Sequence, residues 1–131
     1  MGMDRIEQMK AYKEQEGVHY NCCQSVLLAF LPECGLTLDT AVAMGAHFGG
    51  GMGRGSACGA VTGALMVLGL AGAEQGTANQ FLTQFTQRHG AIHCAELLAK
   101  AKPANRTEKR AHCDGLIEDS IRLLEELLSK G

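Results

Sequence analysis

A glycine-rich loop leads directly into a long apolar segment near the middle of the chain. Residues 49–55 contain five glycines, and residues 57–73, which follow Ser56, are almost entirely apolar. Serine is a favoured N-cap because its hydroxyl accepts a hydrogen bond from a backbone N–H one turn into the helix. The pattern therefore predicts a helix that begins at Ser56 and carries Cys58 in its first turn. Because this end of a helix favours negative charge, Cys58 is expected to ionise more readily than an ordinary cysteine.

Two other interpretations of this segment are weaker. A transmembrane helix needs about 20 apolar residues, whereas residues 57–73 fall short of that length and are rich in Gly and Ala. A nucleotide-binding loop needs the GK[ST] ending of a P-loop or a GxGxxG motif after a strand, and the sequence has neither. A central core helix, in which small residues let neighbouring helices approach closely, explains the segment better. The sequence therefore predicts no membrane partner.

The remaining periodicity of the sequence is helical, and no stretch shows the sustained alternation that is typical of a strand. Residues 102–112 are the most polar stretch and are predicted to form a surface connection. We therefore expect an all-α fold, in which residues 1–131 form a compact single-domain bundle of five to six helices around the central Gly/Ala-rich apolar helix. The other predicted helices cover residues 4–16, residues 21–31 before Pro32, a helix capped by Thr37 or Asp39, residues 77–89, a short run at 93–101 before Pro103, and residues 114–130.

Composition and charge limit the kinds of function that the chain is expected to have. The formal net charge is −2, the basic residues are scattered and the chain has no Trp, so no nucleic-acid partner is indicated. The first 17 residues carry charges throughout and lack the apolar segment of a signal peptide, so a cytoplasmic location is expected. In that setting, the six cysteines favour metal binding or thiol chemistry over structural disulfides.

Four cysteines lie at or close to a predicted helix start, namely Cys22, Cys58, Cys94 and Cys113. Converging helix N-termini would form a cavity that stabilises thiolates, which are both nucleophiles and metal ligands. The four thiolates would then bind an iron–sulfur cluster or another metal ion, or Cys58 would attack in a dithiol couple that one of the other three resolves. The alternative is a non-catalytic helical binding or structural module with buried, inert cysteines.

The glycine-rich loop supplies the secondary candidates for the site. Gly51 and Gly53 are candidate cofactor-binding positions, where the absence of a side chain leaves room for a ligand. Arg54 is the candidate cation, because a guanidinium beside Cys58 would hold a thiolate or an anionic ligand.

The other cysteines and two histidines are weaker candidates. His93 and His112 each directly precede one of the four cysteines, where an imidazole would lower a thiol pKa or join a metal shell. Cys23 lies about 100° around the helix from its neighbour, which favours a core position, although a vicinal disulfide is an alternative. Cys34 is expected in a turn, as an exposed thiol.

The order and spacing of four segments resemble the C_GCAxxG_C_C family, a group of small proteins associated with redox activity. The segments are NCCQS at 21–25, GGGMGRG with Cys58-Gly59-Ala60 after it, Ile92-x-Cys94-x-x-Leu97-Leu98, and Cys113 before a leucine-rich helix. The resemblance covers roughly residues 18–128, and the four cysteines of the family pattern fall on the four selected above. It implies electron transfer or thiol redox chemistry. The expected partner is a redox protein that the sequence does not identify, with a homo-oligomer as a further option.

Overall fold

The computed structural model of the chain describes residues 4–129, and most of this range is helical. The prediction of an all-α fold is confirmed, but five to six helices was too few, because a separate short helix begins at Leu31 and carries Pro32 in its first turn. No helix among the described residues is long and apolar enough to cross a membrane. The eight α-helices of the described range are α1 (Arg5–Lys13), α2 (Cys22–Ala29), α3 (Leu31–Cys34), α4 (Leu38–Gly45), α5 (Gly59–Leu70), α6 (Gln75–His89), α7 (Cys94–Ala101) and α8 (Arg106–Ser129).

Helices α2 and α5 pack against each other through small residues at the centre of the bundle. A Cβ atom at Gly59 would lie 2.9 Å from the Cβ atom of Cys22, and one at Gly63 would lie 2.9 Å from the carbonyl oxygen of Cys23. Neither position has room for a side chain, so glycine sets how closely the two backbones approach. Helices α6 and α8 also pack against α5, which is the central helix that the sequence predicts.

Helix α5 begins later than the sequence predicts. It starts at Gly59 with Cys58 as its N-cap, not at Ser56. The reason is an antiparallel pairing of two extended segments, in which Cys58 N donates to Ile92 O at 2.8 Å and Cys94 N donates to Ser56 O at 2.7 Å. These backbone hydrogen bonds hold Ser56 outside the helix, and its hydroxyl does not serve as the cap.

Helix α8 begins earlier than the predicted residue 114. Its first residue is Arg106, because Oδ1 of Asn105 accepts a hydrogen bond from Glu108 N at 2.9 Å and caps the helix. Residues 106–112 are therefore the first turns of α8, in which residues 106–111 are exposed. The prediction that residues 106–111 lie on the surface is confirmed, but the prediction that this stretch is a connection was wrong. The charged residues of this stretch are good helix formers, which explains why a polar segment extends the helix.

The glycine-rich loop forms one wide turn between α4 and the extended segment before α5. Ser56 N donates to Gly51 O at 2.8 Å and closes the turn. Gly51 has a φ of +65°, and a Cβ atom there would lie 2.5 Å from Ser56 N, so only glycine fits this position.

Replacing Gly63 with Ala is expected to lower the free energy of unfolding by about 1–3 kcal/mol, because the new methyl group meets the α2 backbone. Gly69 lies in the same helix, and a Cβ atom there would have nothing within 4 Å. Gly69→Ala is thus the matched control, and it is expected to raise the free energy of unfolding by up to about 1 kcal/mol. Urea denaturation followed by circular dichroism measures both, and similar effects of the two substitutions would contradict the close packing of α2 on α5.

Candidate thiol site

The pairing of two extended segments brings Cys58 and Cys94 together. An isolated antiparallel bridge joins Ala57 and His93, and each cysteine follows its bridge residue directly. Cys58 then caps α5, and Cys94 is the first residue of α7. Two cysteines that are distant in sequence are therefore placed at neighbouring helix starts.

The start of α2 is fixed by a capping box, which positions Cys22. The side chain of Asn21 accepts a hydrogen bond from Gln24 N, and the side chain of Gln24 accepts one from Asn21 N, each at 2.8 Å. Asn21 Nδ2 also donates to Gly45 O at 2.9 Å, which ties this helix start to the end of α4. Cys22 is the first residue of α2 and contacts the Gly59 end of α5.

The fourth cysteine of the family pattern, Cys113, lies within α8 and not at its start. Because α8 begins at Arg106, the predicted position of Cys113 near a helix N-terminus was wrong. The neighbouring Asp114 forms a salt bridge with Lys13 of α1, in which Lys13 Nζ lies 2.9 Å from Asp114 Oδ1. This salt bridge holds that part of α8 against the bundle. Cys113 therefore reaches the other cysteines from the side of a helix.

The structure brings all four cysteines of the pattern to the wall of one cavity. The cavity has a volume of about 200 Å³, and its wall is mostly apolar. It is lined by Cys22, Gly50, Cys58, Gly59, Cys94, Leu97, Leu98, Lys109, His112, Cys113 and Leu116. All six cysteines of the chain lie within the described residues, and all are free thiols.

Cys113 and Cys22 influence each other's ionisation within this cavity. The Cys22 thiol, acting as hydrogen-bond donor to the Cys113 sulfur, lowers the pKa of Cys113 to about 7, and the ammonium groups of Lys109 and Lys13 act in the same direction. The same interaction, together with burial, raises the pKa of Cys22. At neutral pH a substantial fraction of Cys113 is therefore thiolate, while Cys22 keeps its proton.

Burial raises the pKa of Cys58, even though the N–H groups of Ala60 and Val61 lower it. The expectation that Cys58 ionises readily was therefore wrong: the helix N-terminus acts in the predicted direction, but desolvation of a residue that is only 3% exposed outweighs it. Burial likewise raises the pKa of Cys94, against the opposing charge of Lys109.

The donor groups of the cavity are not arranged as a formed metal site. Within residues 4–129, no three side chains of His, Cys, Asp or Glu are grouped closely enough to hold a metal ion. The four sulfurs thus share a cavity wall without sharing a coordination sphere. One further potential ligand atom, Nε2 of His112, is buried and has no hydrogen-bond partner among the described residues.

The glycine-rich loop contributes less to the cavity than its sequence suggests. Gly51 is buried, and a Cβ atom there would lie 2.8 Å from the Cβ atom of Cys94, so it supports the wall. Gly53 and Arg54 are exposed and do not line the cavity. The cation beside the thiols is instead Lys109, which sequence reasoning missed. Lys109 precedes Cys113 by one helical turn, a spacing that would have pointed to it had α8 been predicted to start at residue 106.

The remaining sequence candidates are divided between the cavity and other parts of the molecule. His112 lines the cavity, whereas His93 is exposed and lies 3.5 Å from Glu96. Cys23 is fully buried, as predicted, and its thiol donates to the Met66 sulfur at 3.8 Å. Cys34 ends α3 and is half-buried, so its prediction as an exposed turn residue was wrong.

One of three comparisons with known proteins gives a match. Neither the comparison with curated proteins nor that with solved structures gives a match. A protein family described as "Putative redox-active protein (C_GCAxxG_C_C)" matches residues 20–127, a range that includes all four cysteines of the cavity. Because the match covers most of the chain, this protein belongs to the C_GCAxxG_C_C family.

Proposed function

We propose that this chain is a thiol–disulfide redox protein in which Cys113 and Cys22 interconvert between a dithiol and a disulfide. The observation that carries the proposal is that Cys113 and Cys22 line the same cavity, where the neighbouring Cys22 thiol lowers the pKa of Cys113. Thiol–disulfide exchange needs a thiolate as nucleophile and a second thiol within its reach. This pair of cysteines meets both requirements.

In this reaction the Cys113 thiolate attacks one sulfur of an oxidised disulfide. A mixed disulfide forms, and one sulfur of the partner leaves as a thiolate. Cys22 then loses its proton and attacks the Cys113 sulfur, which closes the Cys22–Cys113 disulfide and releases the second partner thiolate. Two electrons pass from the cysteine pair to the partner, while Lys109 and Lys13 favour the initial negative charge on Cys113.

The proposal assigns the attacking role to Cys113, where the sequence suggested Cys58. An attacking thiol is most effective when its pKa lies near the ambient pH, which describes Cys113. Burial raises the pKa of Cys58 and of Cys94, so both remain protonated at neutral pH. In their thiol form, these two residues complete the wall of the cavity.

A metal centre is the second candidate function. It is favoured by the convergence of four soft sulfur donors and the unpartnered His112 Nε2 on one cavity. Metal binding would require these side chains to move, because the described residues contain no preformed ligand group. Cys58 and Cys94 would then be ligands, a role that the disulfide proposal does not need.

Alkylation of Cys113 by iodoacetamide is expected to reach half its maximal rate near pH 7, because the thiolate is the reactive form. Lys109→Met should move this midpoint to higher pH, since removal of the ammonium raises the pKa of Cys113. Arg110→Met removes a positive charge from the same helical turn and is the matched control. Mass spectrometry of the labelled peptides measures both midpoints, with Cys34 as an internal reference whose pKa is raised by burial and by Glu33. Equal midpoints for Cys113 and Cys34 would contradict the assignment of the nucleophile.

Mild oxidation with diamide is expected to lower the number of titratable thiols by two and to produce a Cys22–Cys113 disulfide, identified by non-reducing peptide mapping. Cys113→Ser should abolish this product, whereas Cys34→Ser, which alters a thiol outside the cavity, should retain it. An unchanged thiol count, or a disulfide that joins Cys58 to Cys94, would refute the proposed couple.

Anaerobic purification followed by iron and zinc analysis distinguishes the metal centre from the thiol–disulfide couple. The disulfide proposal predicts no stoichiometric metal, because Cys113 and Cys22 need none. Stoichiometric metal that disappears in the variant carrying both Cys58→Ser and Cys94→Ser would instead establish the metal centre.

A further inference from the structure

The cavity that holds the cysteine pair is small and largely apolar. Its volume is about 200 Å³, and the leucines at positions 97, 98 and 116 form much of its wall. An apolar cavity of about 150 Å³ accommodates benzene, whereas sites for drug-sized ligands are about 300 Å³ or larger. The cavity is thus suited to a molecule only somewhat larger than benzene.

The polar groups of the same wall are gathered on one element. Apart from the cysteines, the polar side chains that line the cavity are Lys109 and His112, and both lie on α8 next to Cys113. The Nε2 atom of His112 is buried and lacks a hydrogen-bond partner among the described residues. A buried polar atom without a partner is costly, so these two side chains favour a ligand that brings an oxygen atom close to the Cys113 sulfur.

We infer that the cavity takes a small organic hydroperoxide with an aryl or short branched alkyl group, which lies against the leucines with its peroxide oxygens next to Cys113. A dialkyl disulfide of the same size has no oxygen for Lys109 and His112. Hydrogen peroxide has no apolar group that could contact the leucines of the wall. This inference rests on the proposed function and names the oxidant of the same cysteine pair.

The reaction balances with the hydroperoxide as the sole oxidant. The Cys113 thiolate attacks the terminal peroxide oxygen, so that an S–O bond forms and the O–O bond breaks. The alkoxide leaves and takes a proton from the Lys109 ammonium, which solvent protonates again. The Cys22 thiol then attacks the Cys113 sulfenic acid, forming the S–S bond and releasing water. In total, one hydroperoxide and two thiols give one alcohol, one disulfide and one water.

The experiment mixes the fully reduced wild-type protein with cumene hydroperoxide or with hydrogen peroxide, in the absence of other oxidants. We expect cumene hydroperoxide to consume the thiols at least about tenfold faster than hydrogen peroxide does. Its aromatic ring is removed from water when it binds against the apolar wall, which favours binding. One equivalent of cumyl alcohol should appear for each Cys22–Cys113 disulfide. Leu98, which is half-buried, offers a variant that spares the core. Leu98→Gln should remove most of this preference, by bringing the cumene hydroperoxide rate close to the hydrogen peroxide rate of the same variant.

A second measurement on the wild type does not depend on the folding of a variant. Cumyl alcohol, the product, is expected to occupy the cavity and slow the alkylation of Cys113, with no effect on Cys34. Oxidation by diamide separates the two proposals. If diamide forms the Cys22–Cys113 disulfide but cumene hydroperoxide reacts no faster than hydrogen peroxide and cumyl alcohol gives no protection, the substrate inference is overturned and the proposed function stands. If neither oxidant forms this disulfide, both are overturned.

Discussion

The contact between the first turns of α2 and α5 determines where the cavity lined by four cysteines lies. Gly59 lies directly against Cys22, and Gly49 lies against Asn21, so that a Cβ atom at either position would overlap its neighbour. This contact places the capped start of α2 beside Cys58, the N-cap of α5. The cavity is the space left where α7 and α8 close over these two helix starts.

Within that cavity, the balance between desolvation and local charge decides which sulfur carries the negative charge. Cys58 has the helix N-terminus that should favour a thiolate, yet its burial prevails and the pKa is raised. Cys113 has no helix terminus, but it has a thiol donor in Cys22 and lysines on two helices, and its pKa is lowered. The position of a cysteine in a helix is therefore a weaker guide to its ionisation than its exposure and its charged neighbours.

The sequence was sufficient to predict the features that depend on local signals. The predicted helix start at residue 21 is fixed by a capping box of Asn21 with Gln24, the predicted helix end at residue 89 is followed by Gly90 in a left-handed conformation, and the apolar segment after Cys58 is the central helix. The set of four cysteines was also recoverable, because three of them lie at helix starts or caps and the family pattern includes the fourth. A local signal at Ser56 failed because a non-local pairing with residues 92–94 competed for the same backbone.

The roles of the individual cysteines depended on information that is not local. That Cys113 of α8 reaches the cavity, and that Arg54 lies outside it, follows from how the elements pack in the bundle and not from the composition of either segment. The pairing of Cys22 with Cys113 has the same origin, since it joins α2 to the last helix of the fold. The residue pattern within a single helix cannot predict a contact between two helices that are so far apart in the sequence.

The same long separation along the chain links the proposed chemistry to stability. Helices α2 and α8 pack against each other in the reduced protein, so a bond between Cys22 and Cys113 would join elements that already touch. Such a bond would close a loop of about 90 residues, for which chain-entropy arguments give a stabilisation on the order of 4–5 kcal/mol when the native geometry is not strained. By linkage, the folded bundle favours the disulfide over the dithiol by the same free energy, relative to the unfolded chain. The packing of α2 on α8 would thus hold the oxidised form until a reductant reaches the cavity, and the reduction potential of the pair becomes a property of the whole bundle.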